Sequence, residues 1–161
     1  MTGTKTVLVI RAVASDRSTT ATESQLSDDI FGTSGDAVNL KSQYGLCSDG
    51  KLQFQPLTTN SLVGTDGVYT VSLPNTIVTG AADSTIREAM TNQAAADLGA
   101  SLNTLANYVM LCLPPGTTGG WIAYAYINSW RSVYNDNWCR YPSAQLHEVG
   151  RLSSKCHRDS S

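Results

Sequence analysis

The chain has 161 residues, of which 41% are hydrophobic and 15% are charged, and its formal net charge is −2. This length is enough to bury one sizeable core, so we expect residues 1–161 to form a single domain. Without a basic cluster the composition argues against a nucleic-acid partner, and no apolar run approaches the ~20 residues of a membrane-spanning helix.

The start of the chain predicts a buried strand and no targeting segment. Residues 1–13 are too polar, and then too strand-like, to form a secretory signal peptide. Two alternatives follow: a cytosolic protein, or a chain that begins after its targeting and pro segments. Residues 7–10 are a continuous apolar run, which is typical of a strand buried on both faces of a sheet.

Helix signals come next. Thr22 and Gln25 have the spacing of a capping box, which predicts a short helix that Gly32 ends. Asp36 is placed to cap a second helix, and Gly45 is its stop signal.

The middle of the chain predicts two strands and a long helix. Polar and apolar residues alternate over 51–55 and over 68–73, as in half-buried strands. The clearest helix begins at Asp83 or Thr85, with Glu88 placed to complete a capping box from Thr85. Its apolar stripe consists of Ile86, Ala89, Met90, Ala94 and Leu98.

The last third predicts two strands, a turn and a final helix. Residues 108–113 read as a buried strand stopped by Pro114, residues 121–128 alternate, and residues 134–137 read as a turn. Pro142 suits the first turn of a helix. This mixed order predicts an α/β (α+β) fold, with the last helix packed against the sheet.

The four cysteines are widely scattered along the sequence. They are Cys47, Cys112, Cys139 and Cys156. Two disulfides would allow three connectivities, which the sequence does not separate, and buried thiols are the alternative. No Cys-x-x-Cys or zinc-finger spacing is present.

Residues 144–157 contain both histidines of the chain and carry its main functional signal. His147 is followed by Glu148, as in the His-Glu-x-x-His helix whose histidines bind Zn²⁺ and whose glutamate takes a proton from the bound water. His157 stands at the offset of a third ligand in the longer form of this motif. Arg151 occupies the position of the second histidine, and a guanidinium has no lone pair to donate. On these residues alone, a surface pair on a helix is the alternative for His147 and Glu148.

Stretches along most of the chain resemble the gametolysin-type metallopeptidases, an algal branch of the metzincin zinc peptidases. In the family's order these stretches are SQLSDDIFGTSGDAVNLKSQY, GKLQFQP, NYVMLCLPPGT, WIAYAYINSW, VYNDNWC and AQLHEVG. The resemblance implies a metzincin-like upper domain, in which a twisted mixed sheet packs on helices and the zinc-motif helix lies at the C-terminal end. It also implies a zinc metalloendopeptidase that acts on extracellular or cell-wall protein.

The resemblance implies roles for individual residues. His147 and His157 would be zinc ligands, and Glu148 would be the general base. WIAYAYINSW would be the edge strand along the cleft, where an extended peptide substrate binds by strand addition. The candidate residues of this strand are Trp121, Ala123, Tyr124 and Tyr126. For the three aromatic side chains, packing in the core and on the surface is the alternative.

The match to the family ends after Gly150. Family members continue roughly as His-Asn-Leu-x-Leu-x-His, whereas this chain reads Arg-Leu-Ser-Ser-Lys-Cys-His and then ends at Ser161, without a methionine turn. Because Arg151 replaces a ligand, we expect this chain to be inactive or impaired as a peptidase. Three interpretations are open: an altered or incomplete family end in which His157 is a coincidence, a non-catalytic module that binds peptide or cell wall, and an enzyme with unusual zinc ligation.

Overall fold

The computed structural model describes residues 3–32, 52–57, 60, 62–63, 67–125 and 129–141. The helix predicted after Asp36, the helix predicted after Pro142 and the side chain of Tyr126 lie outside these residues. The candidate zinc-site residues also lie outside them, namely His147, Glu148, Arg151 and His157.

The described residues form six strands, three α-helices and a 3-10 helix in mixed order. In chain order they are β1 (Gly3–Ala14), α1 (Glu23–Phe31), β2 (Leu52–Pro56), β3 (Val68–Leu73), α2 (Asp83–Leu98), α3 (Leu102–Leu105), β4 (Tyr108–Leu113), β5 (Ala123–Ala125), β6 (Arg131–Asn135) and a 3-10 helix (Asp136–Arg140). The mixed α/β class expected from the sequence is confirmed.

The strands form one mostly parallel sheet in the order β2-β1-β4-β6-β5. Residues 3–7 of β1 pair with β2 and residues 9–14 pair with β3, so two strands share the side of β1 that faces away from β4. All these pairs are parallel, as is the pair β4–β6, whereas β5 runs antiparallel to β6. The sheet is therefore mixed only at the β5 edge.

Helices cover both faces of the sheet, which explains the continuous apolar runs. Successive side chains of a strand point to opposite faces. Val7 and Val9 accordingly pack in one core with α1, while Leu8 and Ile10 pack in a second core with α2. All four are completely buried, and every residue of β4 is also buried, as predicted.

Both predicted signals of α1 are confirmed. The Thr22 side chain accepts a hydrogen bond from the Gln25 backbone, and the Gln25 side chain accepts one from the Thr22 backbone. Gly32 ends the helix with a φ of 74°, a conformation that favours glycine. Local chemistry therefore sets both ends of this helix.

The capping box predicted for α2 is wrong. The helix begins at Asp83, so Thr85 already lies inside it, and the N-cap is Ala82, whose methyl group cannot accept a hydrogen bond. The Glu88 carboxylate instead lies 2.8 Å from Arg87 Nε and 3.2 Å from Arg131 Nη1. Two guanidinium partners satisfy this carboxylate better than one backbone N–H would.

The turn predicted at 134–137 is also wrong. Tyr134 belongs to β6, where it pairs with Cys112 of β4 and is completely buried. Only Asp136 has a turn conformation, with a φ of 50°, and it begins the 3-10 helix. The Asn and Asp residues indicated the change of direction, but strand pairing extends up to it.

An acidic side chain closes the loop that follows β1. The Asp16 carboxylate accepts hydrogen bonds from the backbone N–H groups of Val78 and Thr79, at 2.8 and 3.0 Å. Hydrogen bonds from the Thr79 side chain and from these two backbone groups lower the pKa of Asp16 to about 2. Val78 and Thr79 lie in the loop between β3 and α2, so Asp16 ties the end of β1 to the chain that leads into α2.

The contribution of Asp16 to stability is expected to depend on pH. Because its pKa is about 2 in the folded chain and 3.8 ordinarily, its stabilising effect is complete above pH 3.8 and is lost as the pH falls through 2. As the pH is lowered from 5 to 2, the melting temperature of the natural chain should therefore fall more steeply than that of Asp16→Asn. Parallel plots of melting temperature against pH for the two chains would contradict this role of the Asp16 carboxylate.

Candidate functional site

The strand β5 forms the edge of the described sheet and presents backbone groups on its outer side. The Asn135 N–H donates to the Ile122 carbonyl at 2.8 Å, which marks this as a hydrogen-bonded antiparallel pair. Hydrogen-bonded and non-hydrogen-bonded pairs alternate along such a ladder. The backbone N–H and C=O of Tyr124 therefore face β6, whereas those of Ala123 and Ala125 point outward.

The approach to β5 is fixed by side-chain hydrogen bonds. Asn135 Nδ2 donates to the Trp121 carbonyl at 2.9 Å, and Trp121 Nε1 donates to Thr117 Oγ1 at 3.0 Å. The strand itself begins two residues later than the alternating pattern at 121–128 predicted. Trp121 thus belongs to the anchored segment in front of the edge strand.

The aromatic side chains of this segment pack towards α2. The rings of Trp121 and Tyr124 lie 5.6 Å apart, and both are half-buried against the core that contains α2. Arg87 Nη1 donates to Tyr124 Oη at 3.1 Å. Burial, followed by a hydrogen bond with Asp83, raises the pKa of Tyr124 to about 12, so this phenol is neutral at physiological pH. Trp121 and Tyr124 hold the edge strand against the helix.

The side chains on the two faces of β5 differ strongly in size. Tyr124 occupies the face towards α2, while Ala123 and Ala125 lie against the core on the α1 side. The structure therefore brings Trp121, Ala123 and Tyr124 together at one edge. The groups that this edge offers to a partner are the backbone atoms of the two alanines.

A charged cluster braces this corner of the sheet. Arg131 Nη1 donates to Thr91 Oγ1 at 3.1 Å, and its guanidinium lies 5.2 Å from the centre of the Trp130 ring. Glu88 bridges Arg131 and Arg87, and the hydrogen bond from Arg87 is the largest cause that lowers the Glu88 pKa. These contacts join α2 to β5 and β6, so the edge strand rests on a fixed support.

The 3-10 helix after β6 is attached at both ends. The Asp136 carboxylate accepts hydrogen bonds from the backbone N–H and the hydroxyl of Thr20, at 2.8 and 2.9 Å. Arg140 Nε lies 2.7 Å from the Asp29 carboxylate of α1. These contacts fix the chain immediately before residue 142, where the segment with the zinc-like motif begins.

The polar cluster around Arg11 and Thr19 was not predicted from the sequence. Arg11 of β1 donates to the carbonyls of Thr19 and Ala21 and to Thr70 Oγ1, at 2.9, 2.8 and 3.1 Å. Thr19 is buried, and its hydroxyl donates to the Cys112 carbonyl at 2.7 Å. The sequence signal for this cluster was Arg11 itself, which directly follows the apolar run at 7–10. A charge at the end of a buried strand requires hydrogen-bond partners.

As its sequence stands, the zinc-like motif supplies two of the three protein ligands of a catalytic zinc site. Among the described residues, no group of three or more His, Cys, Asp and Glu side chains is placed to hold a metal ion. His147 and His157 would supply two ligands, and Arg151 supplies none. Catalytic zinc sites use three protein ligands, so we assign no reaction step to zinc in this chain.

Comparisons of this chain with protein-family models, curated proteins and solved structures give no match. The resemblance to the gametolysin-type peptidases therefore rests on the sequence stretches given above. Three of these stretches contribute β4, β5 and the β6 segment, which form and support the candidate edge. In the part of the chain that the structure describes, no helix is long and apolar enough to cross a membrane.

Proposed function

We propose that this chain is a metallopeptidase-like domain of the gametolysin type that binds extended segments of extracellular or cell-wall protein along β5. The observation that carries this proposal is the outward direction of the Ala123 and Ala125 backbone groups. In this domain Arg151 removes a zinc ligand, so the proposed activity of the natural chain is binding, with cleavage absent or impaired.

Strand addition fits the geometry of this edge. Two residues of one strand, separated by a third, provide two N–H donors and two C=O acceptors for an extended peptide about 4.7–4.9 Å away. The side chains of Ala123 and Ala125 lie against the core on the α1 side, so these residues would contact an added strand through their backbone groups. On the opposite face, Tyr124 provides an aromatic surface fixed by Arg87.

Three features support the peptidase part of the proposal. The WIAYAYINSW stretch, to which the resemblance assigns the cleft edge, contributes the antiparallel edge strand of the described sheet. The 3-10 helix that leads towards residue 142 is held by Thr20 and Asp29. His147 and Glu148 follow in the family's order, and Glu148 is the residue that would act as the base.

Ala123→Pro is expected to weaken peptide binding about three- to tenfold, the range of one lost hydrogen bond. Proline removes the outward N–H but is tolerated at an edge strand. The matched control is Ala123→Val, which keeps this N–H and should bind like the natural chain. Fluorescence anisotropy with a fluorescein-labelled casein digest measures both affinities.

Two results of this titration would contradict the binding proposal. One is equal affinity for Ala123→Pro and Ala123→Val, since strand addition requires the outward N–H. The other is loss of binding by the natural chain on addition of a chelator, because the proposed contact involves no metal. Circular dichroism of each variant checks that the sheet is retained.

A further inference from the structure

Two cysteines from different elements meet inside the protein. Cys112 of β4 and Cys139 of the 3-10 helix are both completely buried, and both belong to the core on the α1 side of the sheet. The 3-10 helix packs directly against β4, and the two thiols interact with each other. Of the four cysteines, Cys112 and Cys139 lie in the part of the chain that the structure describes, whereas Cys47 and Cys156 lie outside it.

The topology of the sheet produces this meeting. In β6, Tyr134 lies beside Cys112, and the strand ends one residue later. The positive φ of Asp136 then turns the chain into the 3-10 helix, which packs on the end of β4. The Asp136 side chain is itself held by Thr20, so the 3-10 helix that carries Cys139 is anchored beside β4.

We propose that Cys112 and Cys139 are joined by a disulfide when the protein folds in an oxidising compartment. The bond would link β4 covalently to the 3-10 helix, immediately before the segment that carries His147 and Glu148. It would add to the Thr20–Asp136 contact at the same place. This proposal does not depend on peptide binding or on zinc.

Thiol–disulfide exchange with a low-molecular-weight disulfide, such as oxidised glutathione, supplies the oxidant. The thiolate of one cysteine attacks a glutathione sulfur, forms a mixed disulfide and releases one glutathione thiolate. The second cysteine, after losing its proton, attacks the protein sulfur of the mixed disulfide and releases the second glutathione. Two protein thiols and one glutathione disulfide thus become one protein disulfide and two glutathione thiols.

Burial determines when this exchange takes place. Desolvation and the contact with Cys139 raise the pKa of Cys112 well above its ordinary value, so its thiolate is scarce in the folded chain. Exchange is therefore fast during folding, or when the 3-10 helix opens, and slow afterwards. Once formed, the bond is expected to resist reductants until the protein is unfolded.

Trypsin separates the four cysteines into four different peptides, so disulfide mapping gives one answer. These peptides are 42–51, 88–131, 132–140 and 156–158. The full chain is folded in a glutathione redox buffer, alkylated in denaturant without reductant and digested. Peptides 88–131 and 132–140 should be recovered as one linked species, lighter than their sum by two hydrogen atoms. Alkylation of both, or a link from either to 42–51 or 156–158, would overturn the proposal.

A second measurement tests the proposed bond without mutating Cys112 or Cys139. The variant with Cys47→Ala and Cys156→Ala retains only the proposed pair. Reduction in denaturant, followed by refolding with reductant, should lower its melting temperature by about 5–15 °C relative to the oxidised form. Identical melting temperatures for the two forms would overturn the proposal. If this variant fails to fold, the peptide map of the natural chain decides alone.

Discussion

Arg151→His should bind about one equivalent of zinc, whereas the natural chain should bind none. In the helix predicted after Pro142, the substitution would place a second imidazole four residues after His147, one turn away on the same face. It also removes a permanent positive charge from the position next to the dication. With His157 as the third ligand, the donor set of a catalytic zinc site is complete. Elemental analysis after gel filtration measures the stoichiometry.

Three controls separate ligation from charge. Arg151→Gln removes the guanidinium without adding a ligand, so it should stay free of zinc. His147→Ala in the Arg151→His background should abolish binding, and so should His157→Ala if His157 is the third ligand. Zinc that survives His157→Ala would indicate that the match at this position is a coincidence.

The outcome also discriminates between the open interpretations. One tight equivalent of zinc in the natural chain would contradict the proposed impairment and favour an enzyme with unusual ligation. If neither the natural chain nor Arg151→His binds zinc, residues 142–161 do not form the site, and the peptidase part of the proposal fails. Peptide binding along β5 would remain testable through Ala123→Pro, because that contact uses only the sheet edge.

Local signals in the sequence were sufficient for most of the described elements. The apolar runs at 7–10 and 108–113 predicted buried strands, because a strand covered on both faces has no polar side to show. The Thr22 capping box predicted the start of α1, since its hydrogen bonds are made within four residues. These signals depend on residues close in the chain.

Such local signals do not predict which strands pair or in what register. The strand β6 is short and ends at Asn135, directly before Asp136, so the composition around its end resembled a turn. Its backbone pairs with β4 and β5, and its side chains enter the cores on both faces of the sheet, contacts that composition does not encode. The outward direction of Ala123 depends on the register of β5 against β6. The proximity of Cys112 and Cys139 likewise follows from the sheet order.

Gly67→Ala is expected to reduce the free energy of unfolding by about 2–4 kcal/mol, combining a left-handed backbone with an overpacked contact. Gly67 has a φ of 74°, and a Cβ at this position would lie 2.5 Å from Pro56 Cβ and 3.1 Å from Phe31 Cε2. The proline ring is tied to the backbone of β2 and has little freedom to move. Urea unfolding followed by circular dichroism measures the loss.

The position of Gly67 in the sheet explains why relaxation would be costly. Along one side of β1, the Val7 carbonyl accepts from Leu57 N–H at 3.0 Å, and the Val9 N–H donates to the Gly67 carbonyl at 2.9 Å. The partner of β1 thus changes from β2 to β3 between these two bonds. A shift of residue 67 away from Pro56 would lengthen the Val9 bond, which begins the pairing of β1 with β3.

Gly99→Ala is the matched control for this prediction. Gly99 has a φ of 80°, similar to that of Gly67, but a Cβ there would meet no atom within 4 Å. Gly99→Ala should reduce the free energy of unfolding by about 1 kcal/mol, the cost of the left-handed conformation alone. The difference between the two variants measures the contact with Pro56 and Phe31. Equal losses would show that β2 yields to the added methyl group, and that the crossover from β2 to β3 does not require glycine for space.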